Sequence, residues 1–190
     1  MSGLLAGKRV LVLGGGDVAT VMTEALAKAG AQCGHAAVWD DARAAPDLDA
    51  IVHTGVFVAE SAATAMGLDD WRAGHSADLD QRFFAAAGFA RRCLAAGRAG
   101  SILMLGAKGG GAARATVNGA LDNLVKTLSV EWARDGIRTN AVITRQIGPD
   151  GVVAPGAVAA LGNLAAWLLS DYSPYVNGCV MGVDETGGGA

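Results

Sequence analysis

Charge, aromatic residues and cysteine are all scarce in this chain. Of 190 residues, 17% are charged, 5% are aromatic and three are cysteines. The formal net charge is −3 and no Lys/Arg cluster stands out, so nothing is placed to neutralise a phosphate backbone, and no nucleic-acid partner is expected. Cys33, Cys93 and Cys179 lie far apart, with no CxxC pair and no His/Cys cluster. No metal site is therefore expected, and buried thiols are the plain reading. The longest apolar runs fall far short of the roughly 18 residues of a membrane span. Nor does a charged N-terminal region lead into a long apolar core. These absences predict a cytoplasmic protein with no membrane partner.

What is abundant is small and apolar. Hydrophobic residues make up 52% of the chain, and there are 28 glycines. A chain of this length can bury about 70% of its unfolded surface in one core. One packed domain over residues 1–190 is expected, with no repeat, linker or boundary.

The stretch 101–143 organises the rest. An apolar strand (101–105) ends in a Gly-rich loop, and a long amphipathic helix follows over 113–134, with Val117, Leu121, Leu124, Leu128 and Trp132 on one stripe. Asp135-Gly136 stops it, and 138–143 is the next strand, which completes a βαβ unit. The same alternation opens the chain. KRVLVL at 8–13 is a strand, Gly14-Gly15-Gly16 turns, and a helix over 18–29 is capped by Asp17 and closed by Gly30. A weaker strand spans 31–39. Residues 50–52 form a strand ending in His53-Thr54-Gly55. A helix over 71–96 should bury Leu79, Phe83, Ala86, Ala90 and Leu94 and end at Gly97. A last helix starts near Pro155 and carries Val158, Leu161, Ala165, Leu168 and Leu169, and 179–183 is the final strand. Strands alternating with helices predict an α/β fold, a three-layer Rossmann-like doubly wound parallel sheet.

Four places resemble the short-chain dehydrogenase/reductase family. They are Gly7-Lys8 with the strand, turn and helix that follow; LDAIVHTG at 48–55; EWARDGIRTNAV at 131–142; and DYSPYVNGCVMGVD at 171–184. The resemblance implies a dinucleotide-binding fold with a catalytic Tyr-x-x-x-Lys, a Ser and an Asn. It also implies pairing of subunits through helices 71–96 and 113–134, and through the last strand and helix.

The departures matter more. Of the family's glycine turn only the start remains, at Gly14, Gly15 and Gly16, and Asp17 follows where the backbone should approach a pyrophosphate. Its carboxylate would cap the helix that should hold the phosphate. Two unit charges 4 Å apart repel by about 1 kcal/mol in water and about 4 at an effective dielectric of 20. Ala36 and Ala37 occupy the place of the ribose-binding acid, and Asp40 and Asp41 come slightly late. The segment from there to Ile51 is too short for the family's third strand and its helices, so that sheet edge should be missing. Counting back from Glu131, the Tyr and Lys positions hold Arg114 and Asn118, the Ser position holds Ala107, and the Asn position holds Asp78. Arg114 cannot release a proton near neutrality, and Ala107 has no hydroxyl. After the sixth strand, 144–149 runs soon into the last helix, so a substrate lid should be missing too.

A shortened, degenerate member without catalytic residues is therefore expected. It would bind no cofactor and serve as a structural or regulatory subunit beside an active dehydrogenase or a second copy of itself. Two alternatives stay open. One is an NAD- or NADP-dependent oxidoreductase with a site relocated to His53, Asp78 and Lys108. The other is a small-anion binding module using the cleft residues His53, Gly55, Lys108 and Arg114. His35 and His75 are isolated, and Gly109-Gly110-Gly111 lacks the ending of a phosphate loop.

Overall fold

The computed structural model describes residues 3–40, 47–55 and 62–184. Six parallel strands form one sheet in the order β2-β1-β3-β4-β5-β6. They are β1 (Arg9–Leu13), β2 (Gln32–Ala36), β3 (Ala50–His53), β4 (Gly100–Ala107), β5 (Ile137–Thr144) and β6 (Val180–Met181). The central strands read as near-continuous apolar runs because helices cover both faces. Every residue of β3 and β4 is buried.

Helices α1 (Gly16–Lys28) and α5 (Val158–Leu169) pack on one face, over a core that includes Val12, Met22, Leu26, Leu105 and Leu161. Gly162 lets them touch, since a Cβ there would lie 2.6 Å from that of Ala25. The other face carries α3 (Gln81–Ala96) and α4 (Ala112–Glu131), with Ile51, Phe89, Met104, Leu121 and Val125 between helices and sheet. A short helix, α2 (Leu68–His75), precedes α3 and joins it through a π-turn at Ser76–Asp80.

The shortened sheet edge is as expected: among the described residues β2 is the outermost strand, and β1 pairs with β2 on one side and β3 on the other. After β2, Trp39 packs on the α3 side of the sheet. Its ring lies against Gly88 of α3, where any side chain would collide with it, and Arg92 sits 5.7 Å over the ring. Asp41 lies outside the described residues.

Two details of the helices differ from the sequence expectation. The α3 face turned to the sheet is Arg82, Ala85, Ala86, Phe89, Ala90 and Cys93. Phe83 and Leu94 are exposed instead. Phe89 fills the contact, against Gly100 of β4, with alanines around it, and Phe83 and Leu94 are turned out. In α1 the cap position belongs to Gly15 rather than Asp17, which lies in the first turn. The predicted closing glycines Gly30 and Gly97 hold, both with positive φ; α4 ends earlier than expected, at Glu131, and Gly136 closes the 3-10 turn Ala133–Asp135 that follows. The predicted stripes of α4 and α5 are also found, with Leu124 and Val158 near their margins.

Candidate functional site

In an open parallel sheet, ligands bind at the C-terminal strand ends, where the chain's direction of winding reverses. Here that point lies between β1 and β3, and the two strand ends are pressed together. Gly14 (φ +114°) has Thr54 Oγ1 and Gly55 O so close that no Cβ would fit. Thr54 donates to Leu13 O through both its amide (2.8 Å) and its hydroxyl (3.0 Å). Gly14 O is hydrogen-bonded to His35 Nε2 at 2.9 Å.

The N-terminus of α1 follows, and the chain itself fills it. After β5, residues 146–154 fold back as a tight loop, closed by Gly148 N–H to Val152 O and by an Ile147–Val153 bridge. Val18 N–H, a first-turn amide of α1, donates to Gly151 O at 3.1 Å. Asp17 Oδ2 accepts Val153 N–H at 3.0 Å. So Asp17 does not cap its own helix. It ties the loop to the helix end where a phosphate would otherwise meet free amides.

The four residues that the resemblance sets at catalytic positions are all held in the structure. Ala107 ends β4, and its carbonyl accepts from Asn118 Nδ2 at 2.9 Å. Arg114 is buried, and its Nη2 donates to Pro149 O at 3.3 Å, which secures the 146–154 loop from a second side. Asp78 sits in the π-turn, buried, and accepts Arg82 Nε at 2.7 Å.

The predicted cleft residues do not converge as one group. His53 and Gly55 lie beside the Asp78–Arg82 pair, since a Cβ on Gly55 would meet Arg82 Nη2 and would lie 3.5 Å from Asp78 Oδ1. Lys108 turns away, and its Nζ binds Asp184 Oδ2 at 3.1 Å. Asp184 also accepts Arg145 N–H and the Thr144 hydroxyl. The Arg145 amide, Lys108 and Thr144 together hold the Asp184 carboxyl below its usual range, against a small opposing effect of burial.

His53 is 1% exposed. Its Nδ1 accepts Gly55 N–H at 3.1 Å, so a neutral ring must carry its proton on Nε2. Burial pushes the ring down to about 3, with the nearby Arg82 cation adding to the shift and Asp78 opposing it. His53 Nε2 and Arg82 Nη1 are buried donors without hydrogen-bond partners. Arg82 was not singled out from the sequence; its spacing of four from Asp78 on a helix was the available signal. Among the described residues no group of three His, Cys, Asp or Glu could hold a metal, and no helix is long and apolar enough to cross a membrane.

A six-stranded parallel sheet with helices on both faces, winding in opposite directions from β1, is a Rossmann-type α/β fold. More narrowly, it is the fold of the short-chain dehydrogenases/reductases, shortened at the β2 edge. A short-chain type dehydrogenase/reductase from Mycobacterium marinum superposes with a TM-score of 0.81 at 23% identity, over 97% of this chain and 98% of that one. A gluconate 5-dehydrogenase from Burkholderia cenocepacia, solved with NADP and tartrate, gives 0.76 at 25% identity, over 95% and 94%. A tropinone reductase homolog from Arabidopsis thaliana is 46% identical over 55 residues. That match spans 26% of this chain and about a fifth (21%) of the relative's length. No family model matches the chain. The chain thus resembles the short-chain dehydrogenases/reductases in fold along nearly its whole length.

Proposed function

We propose that this protein is a non-catalytic relative of the short-chain dehydrogenases, acting in the cytoplasm as a structural or regulatory subunit beside an active dehydrogenase/reductase. One observation carries this reading: the 146–154 loop is tied across the N-terminus of α1. Val18 N–H, the Asp17 carboxylate and the Arg114 guanidinium all bind that loop. Two of these three residues stand where the family resemblance implies cofactor-binding or catalytic groups. A dinucleotide would have to break those bonds before its phosphates reached the helix end. Asn118, in the place of the implied Lys, spends its amide on the Ala107 carbonyl.

The same geometry argues against the relocated enzyme site. His53 exchanges a proton only near pH 3, and Lys108 is bound to Asp184 rather than joined to His53 and Asp78. The small-anion module loses one of its two cations in the same way. Helices α3 and α4 leave Phe84 and Val130 exposed, and a subunit contact through these helices would cover them.

Titration calorimetry of the purified chain against NADH and NADPH tests the reading. No heat is expected at millimolar nucleotide. Micromolar binding of either would overturn the proposal and restore the oxidoreductase alternative. For the partner, the protein recovered from its own cells is expected to carry a larger dehydrogenase in stoichiometric amount; recovery of the chain by itself would remove the mixed assembly.

A further inference from the structure

The sheet has two edges, and they are unlike. β6 pairs with β5 through two residues, Val180 and Met181, too short to recruit a further strand. β2 runs for five residues with β1 as its one neighbour among the described residues. Gln32 N–H donates to Lys8 O at 2.8 Å, and Ala36 O accepts Gly14 N–H at 3.1 Å. In a parallel ladder, both backbone groups of a residue face the same neighbour. Gln32, Gly34 and Ala36 therefore face β1, and the N–H and C=O of Cys33 and His35 point out of the sheet. The strand QCGHA has no lysine, no proline, no charge and no bulge, the usual devices that blunt an edge. Gln32, Gly34 and His35 are exposed.

We propose that β2 is a docking edge for β2 of a second copy of this chain, paired antiparallel about a two-fold axis at Gly34. The edge is self-complementary. Turned about that axis, Cys33 of one copy stands opposite His35 of the other, and each such pair exchanges two backbone hydrogen bonds. Gly34 then faces Gly34 at the closely spaced, non-bonded position. No side chain stands between the strands there, and no charge on either strand opposes the approach. A groove of about 710 Å³ runs beside the edge, lined by Leu11, Gly34, Ala36, Val38 and Leu48. Val38 is half exposed in it. Two such grooves meet across the axis, which adds apolar contact that four backbone bonds alone would lack. This edge is distinct from the helical contact of the proposed subunit assembly and does not depend on it.

Disulfide trapping tests the pairing directly. A Cβ at position 34 would meet nothing nearer than Leu11 Cδ1 at 3.5 Å, so a cysteine fits the single chain. Directly opposed, non-bonded positions lie within the reach of a disulfide. Gly34→Cys, in a chain also carrying Cys33→Ser and Cys179→Ser, is expected to give mostly covalent dimer under mild oxidation. In the otherwise native chain, Cys33→Pro removes an outward N–H that β1 does not use. It should weaken self-association at least tenfold by sedimentation equilibrium with an unchanged circular dichroism spectrum. Absence of the crosslink overturns the proposal. So does a folded Cys33→Pro chain that self-associates as before. Should the proline variant fail to fold, the crosslink decides.

Discussion

Gly55 N–H points at His53 Nδ1, and that bond places the ring proton on Nε2. The ring is sealed and stays neutral, with its pKa lowered from 6.5 to about 3 by burial first and Arg82 second. The linkage has a definite sign. Below pH 6.5 the unfolded chain takes up a proton at His53 that the folded chain refuses until about pH 3. Stability therefore falls as pH drops through that window, by at most about 1.4 kcal/mol per pH unit from this group. His53→Asn keeps an acceptor for Gly55 and cannot be protonated. In urea unfolding at pH 7, 5 and 4, the variant is expected to lose less stability than the native chain at each step down. Parallel losses would show that His53 is not the group responsible. The sequence placed His53 at a strand end. It could not show Arg82 beside it, because an arginine on a helix reads as a solvated charge until the π-turn at Ser76–Asp80 turns Asp78 inward to meet it.

Among the elements, the 146–154 loop is the one whose role was least legible. Sequence reading saw there only the shortening of a lid. Its real contacts run between Val153 and Asp17, 136 positions apart, and no local pattern encodes them. The sequence reading makes Asp17 the cap of its own helix; in the structure Gly15 holds the cap position, and the carboxylate binds the loop instead. The predicted stripe of α3 holds at Ala86 and Ala90 but not at Phe83 and Leu94, which lie outside, while Ala85 and Phe89 complete the buried face. Asp17→Ala is the direct test of the loop's tie. The residue is exposed, so the expected loss is small, up to about 1 kcal/mol. The sharper readout is local: amide hydrogen exchange at Val18 and Val153 should speed up at least tenfold while the amides of β4 stay protected. Unchanged exchange at both would mean that the loop is held by other contacts. The idea that Asp17 closes the helix end would then fail.

For the molecule as a whole, sequence reading reached the architecture because strands and helices alternate with strong periods and end at glycines with positive φ. The lost edge was legible too, since residues 37–49 are too few to cross, form a strand and return. Assembly was less legible, because exposure is decided by tertiary packing. Phe84 on α3 is 60% exposed and Val130 on α4 is 78% exposed, so the proposed helical contact would cover both. If α3 and α4 form a subunit contact, Phe84→Glu combined with Val130→Glu should break it through buried, unpaired charge. The folded chain itself should lose no more than about 0.5 kcal/mol, because neither side chain contributes to the core. Light scattering coupled to size exclusion is expected to show the mass of the assembly halved, while crosslinking through position 34 at the β2 edge persists. An unchanged mass would place the contact away from these helices. A chain that loses both the helical contact and the β2 crosslink would mean that the two surfaces form one cooperative interface rather than two.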